Sequence, residues 1–148
     1  MNSPDSPLEW KTDSAAFGRF VQPALEGLPQ RLPKKGSAVL CSPDGFNLCS
    51  VGVTADQIGK MAALTSSLFA IGDATATAIH TDPTPAEELD LLTLQSGPLT
   101  TVCIKVPHRN TYLLLMVSAH ATPLGVVLTV GRSVAEEVQK RLAELNAG

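Results

Sequence analysis

The sequence contains three cysteines and three histidines, the side chains best able to act as nucleophiles or to bind transition metals. Cys41 and Cys49 lie close together in the sequence and Cys103 lies far from both, whereas the histidines are His80, His108 and His120. No two histidines are four residues apart, and no cysteine lies at zinc-site spacing from them. Buried free thiols are the simplest explanation of the cysteines. A weak metal site at His80 and Asp82, and a redox or metal enzyme using Cys41, Cys49 and His80, are the alternatives. We therefore predict no metal and no cofactor.

The segment "GVTADQIGK", Gly52 to Lys60, superficially resembles a phosphate-binding loop. The Walker motif places four residues between its first glycine and its Gly-Lys pair, and that glycine position holds Thr54. Met61 follows the lysine, so no hydroxyl is available for magnesium. The sequence also has no G-x-S-x-G nucleophile motif. Arg109, at a predicted hairpin tip, is a weak candidate for an arginine finger. The lack of catalytic motifs favours a binding or scaffolding module over an enzyme.

Size and composition indicate one domain with an aliphatic core. The chain has 148 residues, of which 44% are hydrophobic and only 4% aromatic. A chain of this length buries roughly 70% of its unfolded surface. Its net charge of −3 provides no basic field for nucleic acid. The sequence contains no run of about 20 uninterrupted apolar residues, so we predict no membrane span. The N-terminus lacks the pattern of a secretory signal. We expect a cytoplasmic protein.

The segment "CSPDGFNLCSVG", Cys41 to Gly52, predicts a β-hairpin. Pro43 presets φ, Asp44 tolerates the second turn position, and Gly45 takes the positive φ of a G1 bulge. A hairpin is not stable alone. The rest of the chain must therefore supply a sheet and helices that cover it.

A long helix is predicted directly after the hairpin. Thr54 and Gln57 have the spacing of a capping box, and the helix should extend to about Thr75. Its larger side chains cover about half of the circumference, more than one contact with a sheet requires. One side of this arc carries Ile58, Ala62, Thr65 and Phe69, and the other carries Met61, Leu64, Leu68 and Ile71. The remaining face is small and polar, which allows another backbone to approach closely.

The other elements complete an α+β pattern with the order α-β-β-α-β-β-β-α. Residues 1–12 are predicted to be a flexible tail, and residues 13–148 a single domain. The predicted elements are a first helix from about Ala15 to Leu28, strands at Leu89–Ser96, Leu99–Val106 and Tyr112–Ser118, and a last helix from Pro123 to about Leu145. Short turns between successive strands indicate antiparallel neighbours, so an antiparallel or mixed sheet is expected.

Three segments, in order, resemble the Roadblock (dynein light chain) family. "AVLCSPDGFNLCSVG" resembles its first hairpin, and "DQIGKMAALTSSLFAIGD" resembles its second helix, which is rich in small residues. "YLLLMVSAHATPLGVVLTVGRSVAEEVQKRL" resembles its last strand and closing helix. The resemblance covers roughly Phe17 to Leu145. It implies a five-stranded antiparallel sheet flanked by helices.

The same resemblance implies a homodimer, or pairing with a related subunit, through the third strand and the second helix. The implied interface residues are Met61, Leu64, Leu68, Ile71, Leu89, Leu91 and Thr93. It also implies a non-enzymatic regulator or scaffold that binds a small Ras-like GTPase and modulates its nucleotide cycle. The positions carried over as GTPase-facing are Asp56, Lys60, Ala63 and Ser67.

A profilin-like or PAS-like sensory module is the alternative. Such domains also place helices around a five-stranded antiparallel sheet, but they bind a small ligand in a pocket. Few polar residues converge on a possible pocket in this sequence, which argues against this alternative.

Overall fold

The computed structural model describes the backbone of residues 7–34 and 36–147, and the side chains of residues 16–34 and 36–145. These described residues form four helices and five strands. The elements are α1 Pro7–Glu26, α2 Leu28–Arg31, β1 Ser37–Cys41, β2 Asn47–Val51, α3 Ala55–Ile79, β3 Leu91–Ser96, β4 Leu99–His108, β5 Thr111–His120 and α4 Leu124–Ala147. The predicted α+β class and element order are confirmed, with the one-turn helix α2 as an addition.

The five strands form one sheet in the order β2-β1-β5-β4-β3. Every pair of neighbouring strands is antiparallel. The long β4–β5 pair lies at the centre and has no register shift from Leu99 opposite His120 to His108 opposite Thr111. The two edge strands of this sheet are therefore β2 and β3. Each has a row of backbone N–H and C=O groups that no neighbouring strand of the sheet pairs.

Helices cover the two faces of the sheet unequally. Alternate residues of a strand point to opposite faces, so Leu40 and Val39 of β1 enter separate hydrophobic clusters. The Leu40 cluster is the larger one and includes Val21 of α1 and Val134 of α4. The Val39 cluster is smaller and takes its helical residues from α3, with Phe69 the largest of them. One face thus has several helices and the other has α3.

The hairpin and the helix cap that the sequence predicts are both present. Gly45 has a φ of +86°, and its N–H donates to the carbonyl of Ser42 at 3.0 Å. The positive φ of Gly45 is that of the predicted G1 bulge. A separate register shift of one residue lies between Leu40 and Cys41, opposite Leu48, and was not predicted. At the start of α3, the backbone N–H of Thr54 donates to Oε1 of Gln57 at 3.1 Å in a capping box.

The N-terminal region differs from the sequence-based prediction. Helix α1 begins at Pro7 and not near Ala15, so residues 7–12 are helical where a flexible tail was expected. Proline is favoured at a first helical position, because a backbone N–H there would have no partner within the helix and its loss costs nothing. Pro29 allows α2 for the same reason, since it lies in the first turn of that helix. Residues 1–6 of the predicted tail lie outside the described residues.

The third strand also starts later than predicted. The sequence indicates a start at Leu89, whereas β3 begins at Leu91. The N–H of Leu89 donates to Oδ1 of Asp73 at 3.1 Å, so the chain is still tied to α3 at that point. Helix α3 is correspondingly longer than expected and ends at Ile79.

Candidate protein-binding surface

One side of α3 forms the contact with the sheet. Ala62, Thr65 and Phe69 are its buried residues, and their spacing of three and four places them on one face. The hydroxyl of Thr65 donates to the carbonyl of Met61 at 2.7 Å, which satisfies a polar group that burial would otherwise penalise. Gly72 is next to this face, because a Cβ there would lie 3.2 Å from the side chain of Leu92 on β3. Gly72 therefore marks the side of α3 that meets β3.

An apolar flank of α3 lies beyond Gly72 and is exposed. At about 100° per residue, Leu68, Leu64 and Ile71 follow Gly72 around the helix, away from the buried face. Leu68 is half-buried. Leu64 is 59% exposed and Ile71 is 63% exposed. We call Leu64, Leu68 and Ile71 the α3 flank. Exposed large aliphatic residues grouped on one side of a helix mark an interaction surface.

The edge strand β3 continues this apolar surface onto the sheet. Leu92 pairs with Cys103 and Leu94 with Thr101, so both leucines point to the face that α3 covers. Leu94 is 37% exposed, and all residues from 93 to 96 are exposed. Within the described chain no strand lies beyond β3. An unprotected apolar edge of this kind is a template for pairing with another strand.

A second stripe of α3 is polar and small. Asp56, Lys60, Ala63 and Ser67 are all exposed, and spacings of four, three and four residues place them along one side of the helix. Around the circumference this stripe follows the α3 flank, on the side farther from β3. The surface of α3 therefore consists of a buried face, an apolar flank beside β3 and an outward polar stripe.

Comparisons with known proteins identify the fold. No family model matches the sequence, and no curated protein is similar to it. Among solved structures, a Roadblock/LC7 domain from Streptomyces avermitilis is similar with a TM-score of 0.67 and 23% identity, covering 82% of this chain and 94% of that one. The gliding protein MglB from Thermus thermophilus has a TM-score of 0.69 and 17% identity, with 88% and 93% covered. An MglB structure with a tetrameric arrangement has a TM-score of 0.70 and 18% identity, again with 88% and 93% covered. The chain has the Roadblock/LC7 fold.

The structure brings only some of the predicted interface residues to neighbouring positions. Met61 and Leu89 are half-buried and pack against the cluster beneath α3. Leu91 packs against the opposite cluster. Thr93 pairs with Val102 and points to that same opposite face. Only the backbone of β3 therefore connects these last two residues with the α3 flank.

Leu92 and Leu94 belong to the same surface but were not among the predicted interface residues. The alternation in "LDLLTLQ" is the signal that could have identified them. Because residues two apart share a face, Leu92 and Leu94 had to lie together. The sequence alone did not indicate which of the two faces α3 would cover.

The three cysteines are free and buried, as the sequence predicts. Burial raises the pKa of Cys41 and of Cys49 to about 12, and that of Cys103 to about 11. A thiol must ionise to act as a nucleophile or metal ligand, so these pKa values oppose both roles. Within the described residues, no group of three or more His, Cys, Asp or Glu side chains is placed to hold a metal ion. His80 contacts the carbonyl of Thr84 through its Nε2 at 2.6 Å.

An open cleft of about 730 Å³ lies between α3 and the β4–β5 turn. Phe69 and Tyr112 line it, together with the charged residues Lys105, Glu88 and Arg109. Nζ of Lys105 is 2.7 Å from a carboxylate oxygen of Glu88 and 4.8 Å from the centre of the Tyr112 ring. This lysine is thus already engaged by an anion and an aromatic ring. Arg109, the weak finger candidate, has a φ of +55° in the turn beside the cleft.

By length and composition alone, α3 also meets the criterion for a membrane-spanning helix. Charged residues such as Asp56 and Lys60 nevertheless interrupt the sequence of this helix. This is weak evidence of a span, because a core helix of a soluble protein passes the same test. A core helix would be mostly buried, however, and 17% of the apolar window in α3 is buried. The described part of the chain thus leaves most of this apolar segment of α3 uncovered.

Proposed function

We propose that this chain is a non-enzymatic, homodimeric regulator that binds a small Ras-like GTPase and modulates its nucleotide cycle. The resemblance to Roadblock domains supports both parts of the proposal. MglB, with the same fold, has been seen in a tetrameric arrangement. MglB is also a gliding protein, and small Ras-like GTPases that control bacterial motility are among the partners that the resemblance implies.

The observation that carries the dimer is the exposure of Leu64 and Ile71 beside the free edge of β3. A second copy related by twofold symmetry would offer the same surface, so the flank of one chain would meet the flank of the other. Pairing of β3 with its counterpart would satisfy the outward backbone groups of both strands. Helix contact and strand pairing would thus bury one continuous surface.

The polar stripe of α3 is the proposed contact for the GTPase. In the dimer, the two flanks are covered but Asp56, Lys60, Ala63 and Ser67 lie on the side farther from β3. Small side chains at Ala63 and Ser67 allow a partner's backbone to approach closely. Without a catalytic group of its own in this stripe, the chain would act by positioning the partner's switch regions.

The test measures GTPase binding by a variant that still dimerises. The probe is a Ras-like GTPase encoded near this gene, loaded with GDP or with a non-hydrolysable GTP analogue. Ala63→Arg and Ser67→Arg each place a long charged side chain in the stripe, and we expect each to abolish binding while the dimer mass is unchanged. Gln139→Arg, on the exposed side of α4, is the matched control. Its binding and the partner's hydrolysis rate should equal those of the unmodified chain.

The proposal fails if the unmodified chain is a monomer at every concentration, or if the dimer binds neither nucleotide form. Unchanged binding by both arginine variants would show that the GTPase contacts a surface other than the polar stripe. Nucleotide hydrolysis by the chain alone would show that it is an enzyme.

The cleft beside Tyr112 supports the sensory module as a second candidate. Its volume of about 730 Å³ would accommodate a small ligand. Screening for metabolites that raise the melting temperature tests it, with Tyr112→Ala as the variant that should lose any such rise. The absence of a stabilising ligand would leave the GTPase regulator as the sole proposal.

A further inference from the structure

The two edges of the sheet differ in how they are covered. The edge at β3 is exposed from Thr93 to Ser96. The edge at β2 is instead accompanied by α1, whose residues approach its backbone at two positions. A Cβ at Gly18 would overlap the carbonyl oxygen of Leu48, so the helix backbone lies directly against that group. Further along, Nε2 of Gln22 donates to the carbonyl of Ser50 at 3.0 Å.

These two carbonyl groups are the ones that a further strand would need. The carbonyl of Ser50 accepts a bond from Gln22, so it points toward α1. The carbonyl of Leu48, at the register shift in β2, lies against the same helix. Helix α1 therefore occupies the pairing direction of β2.

Gly18 determines how closely α1 can lie against β2. Glycine is not required there by its backbone, since Gly18 is not among the residues with positive φ. It lies in the helix interior, where glycine costs about 1 kcal/mol relative to alanine. The overlap that any side chain would cause with Leu48 is what accounts for it.

We propose that β2 is a second strand-pairing edge for another copy of this chain, kept closed by α1 through Gly18 and Gln22. With α1 in place, strand pairing is restricted to β3 and stops at two copies. With α1 displaced, a dimer joined at β3 would expose one β2 edge at each end of its continuous sheet. Pairing at such ends has no closing step, so assembly would continue beyond four copies.

The experiment compares assembly masses of full-length variants by sedimentation velocity over a range of concentrations. Gly18→Val should displace α1 and produce species in steps of the unmodified assembly, raising the weight-average mass about twofold or more. Gln22→Glu removes the donor and places a carboxylate beside the Ser50 carbonyl, so we expect a smaller increase of the same kind. Gln30→Glu, an equal change at an exposed position of α2, is the control and should not alter the mass.

A double variant separates edge pairing from unspecific aggregation. Ser50→Pro removes the outward N–H of β2, and proline is tolerated on an edge strand where that N–H faces outward. Gly18→Val with Ser50→Pro should return to the mass of the unmodified chain. Hydrogen exchange should show faster exchange at β2 in Gly18→Val, while the amides of β4 stay protected.

Two results would overturn the inference. One is a Gly18→Val protein that is folded, with β2 exposed, and has the same mass as the unmodified chain. The other is larger species that persist when Ser50→Pro is added. The mass of the unmodified chain tests the β3 dimer separately, so failure of the proposed dimer and failure of the β2 edge remain distinguishable.

Discussion

Truncation of Leu64 to alanine should weaken the proposed dimer strongly while leaving the protomer stable. The side chain loses three carbons, worth about 2.4 kcal/mol if each were transferred fully from water. Leu64 is 59% exposed in the protomer, so association would newly bury a part worth about 1.4 kcal/mol. Two symmetric copies give about 3 kcal/mol, which corresponds to a roughly hundredfold higher dissociation constant.

Sedimentation equilibrium over a wide concentration range measures this dissociation constant. Val126→Ala is the matched control, because Val126 is 38% exposed but lies on α4, on the opposite side of the sheet. We expect its dissociation constant to match that of the unmodified chain. The free energy of unfolding of the Leu64→Ala protomer should change by no more than about 0.5 kcal/mol, as is usual for exposed positions.

Equal dissociation constants for Leu64→Ala and the unmodified chain would refute the reasoning, since the flank would then lie outside the interface. A large loss of protomer stability would refute it differently. It would mean that Leu64 is covered by its own chain in solution.

Two further predictions concern the helix cap and the buried thiols. Gln57→Ala removes the acceptor of the Thr54 N–H and should lower the free energy of unfolding by about 1 kcal/mol in urea titrations. Gln57→Glu keeps an acceptor at this position and should retain the stability of the unmodified chain. Equal stability of both variants would contradict the role of the cap. Burial raises the pKa of Cys41 and Cys49 from 9.0 to about 12, so between these pH values the unfolded chain releases protons that the folded chain keeps. Stability should therefore be unaffected by these thiols below pH 9, and above it should fall by about 1.4 kcal/mol per pH unit for each thiol. Denaturant titrations at increasing pH measure this fall, and the Cys49→Ala variant should show a shallower one.

Local sequence signals predicted the hairpin and the start of α3, whose causes are local. Pro43, Asp44 and Gly45 specify a turn by their own backbone preferences, and Thr54 with Gln57 specifies the helix start. The start of β3 could not be predicted this way. It depends on the carboxylate of Asp73, which holds Leu89 from a distance of 16 residues in sequence.

The candidate site was predictable in its composition but not in its orientation. The width of the apolar arc on α3 indicated that one sheet contact would not cover it. Which half stays exposed depends on where β3 meets the helix at Gly72, a contact between distant segments. The covering of β2 by α1 was equally hidden. The reason for Gly18 is the carbonyl of Leu48, and nothing near Gly18 in the sequence reveals it.

The β1–β2 turn has a consequence for the two ends of α3. Gly45 lies against Ala63, and the hydroxyl of Ser66 donates to the carbonyl of Pro43, so the first half of the helix is fixed to the sheet. The last turn has mainly exposed residues up to Ile79, and such segments open first in local unfolding. A partner that binds near Ala63 meets an ordered surface, whereas one that binds near Ile79 must also offset the conformational entropy of ordering it. Equal contact areas at the two ends would therefore give unequal affinities, with the end nearer the hairpin binding more tightly.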